Sequence, residues 1–452
     1  MSNTIEFSEV HTPNISGVDG QVPYSLITNK LPSAIATNHQ LRSVQASNGS
    51  TSLPSTMLQF QIPSMGYLKK NSVLLRFLFQ TTALSGTATT WSFNNSINNC
   101  QSVIKNVRLL LGNTIVENII NYNTFQTIHA SHATNKDYLS STLNILEGAM
   151  NDATGLVNNQ ITSSGGGLGY SGFLPVTNYE FICQLQLGTL NSTIPLWLMN
   201  QPLTIQIDTS NVSEAVVSLD GVPTTVIASY TITNPTLLYE TIDIPHEVKA
   251  SIRQEMMETG KMYELECPTV LGVNTSVGAG SNLSYNLACN LGSVDSVLYT
   301  SIAASAFSST FGIGSYKDCT YLETSATDTQ INKRAYVDGR VVNSYNITTL
   351  EQVYIELRRC LSTYNTNISS IGAYNTRNDT VSTYSSRFFA GGFNLRKSLG
   401  TETSLTGSKV GILQLNFDTS SVAPNQAGNY YIYILFDQKI MISALGEVII
   451  AK

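Results

Sequence analysis

Few residues in this 452-residue chain stand at spacings that could do chemistry. His129 and His132 are three apart on a stretch with helical periodicity, with Asp137 nearby, a spacing from which two imidazoles and a carboxylate could reach one metal ion. Helix-face histidines also serve as plain packing residues on a sheet, and no other histidine is close in sequence. The Gly165-Gly166-Gly167 run could cradle a phosphate only if a strand led into it and a helix led out. Neither pattern flanks it, so it reads as loop. No Gly-x-Ser-x-Gly elbow, His-Glu-x-x-His or Walker loop is present. Trp91 and Phe93 form the one aromatic pair in a polar stretch on which a sugar ring could stack. Cys100, Cys183, Cys267, Cys289, Cys319 and Cys360 are scattered without a Cys-x-x-Cys and read as buried free thiols. Triplets such as Asn14-Ile15-Ser16 and Asn346-Ile347-Thr348 follow from the abundance of Asn, Ser and Thr. These readings assign no catalytic, cofactor-binding or metal residue.

Composition narrows the function classes. Charged residues are 12% of the chain, about half the usual share, while hydrophobic residues stand at 42%. Asn, Ser, Thr and Gly replace the missing charge, which gives a neutral, turn-rich surface suited to contact with copies of itself. The net charge is −6, and no cationic run is longer than Lys69-Lys70 or Arg358-Arg359. Direct, sequence-specific nucleic-acid binding is therefore not expected, because phosphate neutralisation requires clustered cations. Met1 to Ser8 carries acid and no apolar core, which predicts no secretory signal. No window approaches the roughly 20 apolar residues of a membrane span.

The elements that would position any site are strands, and the chain states one arrangement twice. Val107 to Tyr122 (VRLLLGNTIVENIINY) and Tyr336 to Tyr345 (YVDGRVVNSY) each read as an apolar strand, a tight turn at Gly112-Asn113 or Asp338-Gly339, a β-branched strand, and an Asn/Tyr exit toward a helix. Half a chain separates them. A second echo, LTIQIDTS from Leu203 and LQLNFDTS from Leu413, follows in the same order. Two copies of one all-β domain are the expectation.

In chain order, residues 1–50 are polar and punctuated by Pro and Gly, an arm held by its own domain or laid on a neighbouring subunit. Met57 to Pro63 alternates as a half-buried strand. Val73 to Phe79 (VLLRFLF) is nearly continuous in apolar residues, the pattern of a strand covered on both faces. Ala83 to Asn99 reads as a polar loop. Helical spacing from Tyr122 to Glu147 is broken near Asn135, and Gly148 to Gly172 reads as a long loop. Strands are expected near Phe181–Leu187, Leu203–Asp208 and Pro235–Ile244. A helix from His246, entered at Pro245 and stopped at Gly260, forms the joint. The second copy opens near Met262. It carries a polar insertion near 303–332, a helix at Thr348–Leu361, strands at Gly411–Asp418 and Asn429–Phe436, and a final segment at Ile440–Ile449. The fold class that results is all-β: two tandem eight-stranded jelly-roll β-sandwiches with short helices in loops. The expected division is a 1–50 arm, a first jelly roll at 51–245, a connecting helix at 246–262 and a second jelly roll at 263–452. Core anchors, in the chain's own core or at subunit contacts, are Phe77, Phe79, Leu109 and Leu111 in one lobe and Leu415, Phe417, Tyr433 and Phe436 in the other.

From about residue 55 to 452 these landmarks resemble the double jelly-roll major capsid proteins of large icosahedral viruses, most closely those of virophages and of polinton-like and adintovirus-like viruses. The likeness is carried by Leu58–Phe79, Ile104–Asn118, Ile194–Asp208, Asn234–Glu264 and Phe388–Asp418 with the NYYIYILFDQKIMISALGEV that follows. The arm and the loops 148–172 and 303–332 match nothing in that pattern. The resemblance implies a structural protein without enzyme activity or cofactor, whose chains form homotrimeric, pseudo-hexagonal capsomers in a virion. Its implied partners are neighbouring capsomers, penton proteins and minor capsid proteins, with an internal membrane layer left open. The alternative is a carbohydrate-binding viral spike or lectin-like β-sandwich, since jelly rolls serve both roles.

Overall fold

The computed structural model describes residues 38–83, 90–133, 142–148, 161–162, 179–218, 227–279, 282–307, 318–322, 332–343, 345–361, 381–396, 407–418 and 426–451. Among them the first half of the chain forms three antiparallel sheets. The six-stranded sheet runs in the order Asn38–Gln45, Ile227–Asp243, Leu74–Ala83, Tyr179–Gln184, with Thr51–Ser52 and Tyr67–Leu68 also paired to Ile227–Asp243. Facing it is a four-stranded sheet in the order Met57–Ile62, Leu203–Thr209, Ile104–Leu111, Thr114–Ile119. A three-stranded sheet joins Val216–Ser218, Thr90–Phe93 and Ile161–Thr162.

The second half forms one eight-stranded sheet. Its main path is Tyr263–Val277, Gly428–Ile442, Leu283–Ala303, Ser408–Asp418, Asn332–Val337, Arg340–Val341, with Gly391–Asn394 and Val448–Ala451 at its sides. Leu283–Ala303 serves both layers: its start pairs with Ser408–Asp418, its end with Gly428–Ile442 and Gly391–Asn394. Register shifts between Ala288 and Val294 mark the crossing, since bulges bend a strand. The first half makes the same path with two strands, Met57–Ile62 and Leu74–Ala83.

Both sequence echoes occupy matching places. Leu203, Ile205 and Ile207 stand opposite Leu111, Leu109 and Val107, and Leu413, Leu415 and Phe417 stand opposite Val337, Ala335 and Lys333. The turns differ, however. Gly112 alone has positive φ (+60°) in the first hairpin, as a type II′ turn requires, whereas Asp338 (+49°) and Gly339 (+79°) are both left-handed, as in type I′. The pairs of strands are thus the same although the turn chemistry is not.

Each core is aromatic. Phe79 packs against Phe77, Phe93, Phe181 and Tyr230 with ring centroids 5.2–6.5 Å apart, and Tyr299 packs against Phe389, Phe393 and Phe417 at 4.8–6.2 Å. All eight expected anchors are 5% exposed or less within this one chain, so they fill its own cores and do not await a partner. Lys333, on the inward side of its strand, is 1% exposed with Nζ 4.3 Å from the Phe417 ring centroid and 5.2 Å from that of Tyr321.

Three expectations change. Residues 38–45 lie within the expected arm yet form a full antiparallel partner of Ile227–Asp243; the strand is mostly exposed, so its sequence carries no apolar alternation. The run Val73–Phe79 is not covered on both faces by the described residues. Val73, Leu75, Phe77 and Phe79 are buried, while Leu74 and Leu78 are half-buried and Arg76 is exposed. The Ala83–Asn99 stretch is not all loop, since Thr90–Phe93 is a strand and 93–103 is buried throughout. The long loops at 148–172 and 303–332 fall largely outside the described residues, as do residues 1–37.

Truncating the ring at the centre of the first core tests this packing. Phe79→Ala is expected to lower unfolding free energy by about 3–5 kcal/mol in urea titration. Arg76→Ala, which removes only an exposed ion pair to Glu180, is expected to leave the unfolding midpoint nearly unchanged.

Candidate functional site

The chain's most elaborate polar and apolar constellation is the joint between its halves. After the Thr114–Ile119 strand, Asn121 takes a left-handed φ of +54° and turns the chain into the helix Tyr122–His132. No residue of that helix is exposed, and its outer side rests on the second half, Phe125 on Tyr433 and His132 on Tyr354, Tyr384 and Phe388. The Tyr433 hydroxyl donates to the Asn121 carbonyl at 2.8 Å, and the Phe125 and Tyr433 ring centroids are 5.2 Å apart. Leu298, Ile302, Tyr431 and Tyr433 project from the second half's strands into the first half's hydrophobic cluster. Approach is close enough to require glycine: a Cβ on Gly272 would sit 2.6 Å from the Ile120 carbonyl oxygen, and one on Gly188 would fall 1.6 Å from that of Pro268.

Beside this apolar contact lies a polar key. Asn94, Asn95, Ser96, Asn98, Asn99, Gln101 and Ser102 are all 5% exposed or less, and they pair with one another and with the second half. Asn95 Nδ2 donates to Asn99 Oδ1 at 2.7 Å. From the second half, Arg387 donates to the Ser96 carbonyl (3.2 Å) and to Asn98 Oδ1 (2.9 Å) while standing 3.5 Å from Asp318. The Cys319 amide donates to Ser96 Oγ at 3.0 Å. Each buried polar atom so paired avoids the cost of a lost hydrogen bond. A cavity of about 20 Å³, room for about one water, lies between Asn95, Asn121, Thr124, Cys319 and Tyr431.

Two carboxyls are buried here. Glu117, 2% exposed, accepts from the Gly188 and Thr189 amides at 2.9 and 3.1 Å. Glu147, also 2% exposed, accepts from Asn99 Nδ2 at 2.7 Å and Gln101 Nε2 at 2.8 Å. Burial pushes both up to about 7, against hydrogen bonds that pull them down. Burial likewise lifts Asp318 to about 6, although the Arg387 charge pulls it down.

The residues singled out for chemistry are not brought into a site. The ring of His132 donates from Nε2 to the Phe388 carbonyl at 2.8 Å and packs edge-on to Tyr354 and Tyr384, which makes it part of the joint. Burial holds His129 below the ordinary histidine range. Asp137 and Gly165–Gly167 lie outside the described residues. Among the described residues no three metal-type side chains gather, and all six cysteines are free, five of them buried. Phe93 is 1% exposed, inside the core, and offers no face to a sugar. No described helix is long and apolar enough to cross a membrane. Polar composition hid the key at 94–102, although Phe93, Ile97, Cys100 and Val103, three to four apart and all buried, were a usable signal.

Two antiparallel sandwiches in tandem, each with its hairpin, helix and returning strand, define the double jelly-roll fold. No family model matches the chain, and no curated protein matches it in sequence. In fold it is similar to PBCV-1 VP54 fitted into a cryo-EM reconstruction of the virophage Sputnik, at 12% identity over 92% of this chain and 97% of that one, with a TM-score of 0.57. It is also similar to the Faustovirus major capsid protein (9% identity, 92% of each chain, TM-score 0.57) and to the cryo-EM structure of the Sputnik virophage (10% identity, 92% of this chain and 88% of that one, TM-score 0.55).

The joint makes two measurable demands. Gly188→Ala forces its new methyl against the Pro268 backbone and is expected to lower the unfolding midpoint by an amount worth about 1–3 kcal/mol. The buried carboxyls set a pH dependence. Because their folded values lie above the ordinary 4.5, the native state binds more protons than the unfolded chain between 4.5 and about 7. Their contribution is therefore complete below about pH 4.5 and is lost as pH rises through about 7, up to roughly 3 kcal/mol for each. Urea titrations are expected to show wild type less stable at about pH 8 than at about pH 5, with Glu117→Gln flattening the fall. Equal stability at both values would count against a buried, protonated Glu117.

Proposed function

We propose that this chain is the major capsid protein of an icosahedral virus and that three copies form a pseudo-hexagonal capsomer. The observation that carries the reading is the joint, in which one jelly roll's hairpin and helix lie on the sheet face of the next. That contact is heterologous, and heterologous contacts repeated around an axis close into rings. Two lobes per chain then give six per ring of three. The shared fold with viral capsid structures over 92% of the chain supports the same role.

The role is structural, with no residue assigned to catalysis, a cofactor or a metal. We place the protein in the virion, bound to neighbouring capsomers and to penton and minor capsid proteins, with any genome contact indirect. We retain the division into a first jelly roll at 51–245, a connecting helix at 246–262 and a second jelly roll at 263–452. It is supported by strand pairing that stays within 38–243 and within 263–451 among the described residues, and by a helix His246–Thr259 that ends on left-handed Gly260. Residues 38–45 belong with the first jelly roll, which shortens the arm.

Light scattering on the purified full chain tests the reading. The expected mass is about three times 49.1 kDa, with a hexagonal outline in negative stain. A monodisperse monomer that binds a glycan array would replace it with the carbohydrate-binding reading.

A further inference from the structure

The two halves differ in what covers them, and the difference points to a specific contact. In the second half, the sheet face carrying Leu298, Ile302, Tyr431 and Tyr433 is buried, with Tyr433 against Phe125 and the Asn121 carbonyl of the first half's helix segment. The corresponding outward face of the first half's six-stranded sheet has no such cover from the described residues. There Leu74, Leu78, Ile182 and Leu238 are only half-buried, around an Arg76–Glu180 ion pair at 2.8 Å that leaves the face neutral. Register puts them together, since Leu74 stands opposite both Leu238 and Gln184, and Arg76 opposite Ile182. An apolar run such as Val73–Phe79 belongs to a strand with two covered faces, and the described residues cover only one.

The covering element has an unused counterpart too. The first half's helix Tyr122–His132 exposes nothing, whereas the second half's helix Leu350–Cys360 leaves Glu351, Ile355 and Arg359 in solvent. Ile355 is 38% exposed, and just before the helix Val341 and Tyr345 are 48% and 41% exposed.

We infer that the exposed side of the Leu350–Cys360 helix, with Val341 and Tyr345, docks on the Leu74/Leu78/Ile182/Leu238 face of a second copy of this chain. The contact repeats between chains the one already made within the chain, helix on outer sheet face. It rests on the capsomer reading and specifies which surfaces hold the capsomer together. The occupant is a second copy because the same fold presents both surfaces, neither covered by the described residues, and because the intrachain joint shows that a helix in this position fits a face of this kind.

Full-length variants separate this assignment from the capsomer reading. Leu74→Glu and Leu238→Glu alter the face, Ile355→Glu and Val341→Glu alter the helix side, and Met57→Glu, on an exposed position of the four-stranded sheet, is the control. Thermal melts confirm folding, and light scattering reads the mass. Wild type and the control are expected at three chains, and each face or helix variant at one chain, with at least about a 100-fold higher concentration needed for association. Mixing Ile355→Glu chains with Leu74→Glu chains leaves one intact contact per pair and is expected to give a two-chain species that neither forms alone. Variants that remain three-chain particles, or a mixture that stays monomeric, overturn the pairing while leaving the capsomer reading in place. A wild-type chain that stays monomeric overturns both.

Discussion

Tyr433 donates its hydroxyl proton to the carbonyl of Asn121 across the boundary between the two jelly rolls, and that bond marks the constraint on which the structure depends. The hairpin and helix of the first half bury one side on their own sheets and the other against the second half, at Tyr433, Tyr354, Tyr384 and the Phe388 carbonyl. Backbones meet so closely at Gly188 and Gly272 that side chains are excluded. The halves are therefore packed as neighbours inside a protein interior are packed, with interior density and fixed register, which lets one polypeptide carry two lobes at a set angle.

The polar side of the joint makes the same contact specific. Apolar faces slide at little cost, whereas Arg387, held by the Ser96 carbonyl and the Asn98 amide oxygen, fits one position. Low dielectric around these groups strengthens satisfied hydrogen bonds and penalises unsatisfied ones. Glu117 belongs to the same set: its two amide donors come from Gly188 and Thr189, the segment that presses on Pro268. A displacement of the halves would disturb both at once. Charge is used sparingly inside, and where it occurs it is wrapped, as Lys333 is by aromatic rings.

The two lobes share a strand plan and differ in detail. One turns its hairpin on Gly112, the other on Asp338 and Gly339. One uses two strands where the other runs Leu283–Ala303 through both layers. Edges are also handled locally: the free edge of Met57–Ile62 is met by Ser47 and Asn48, which bond to Gln59 and Met57 and leave less open backbone for a stray strand to pair with.

Much of this was legible in the residues. Alternation in Met57–Ile62 and Leu203–Thr209, the Gly112 and Asp338-Gly339 turns, Gly260 ending its helix and the doubled hairpin-and-strand echo follow from local chemistry, because period-two burial and positive φ leave direct marks on residue type. What stayed hidden is what contact between halves decides. Asn94–Ser102 looks like surface and is interior, since Asn and Ser can be buried once they satisfy one another and composition does not say whether they do. Asn38–Gln45 looks like an arm and is a strand, held by backbone hydrogen bonds that need no apolar side chains. His129 and His132 looked like possible ligands, and tertiary packing made His132 a donor to Phe388. Local sequence determined the strands, turns and helix ends of both lobes; only the tertiary structure decided which faces meet, because burial is a property of distant segments brought together.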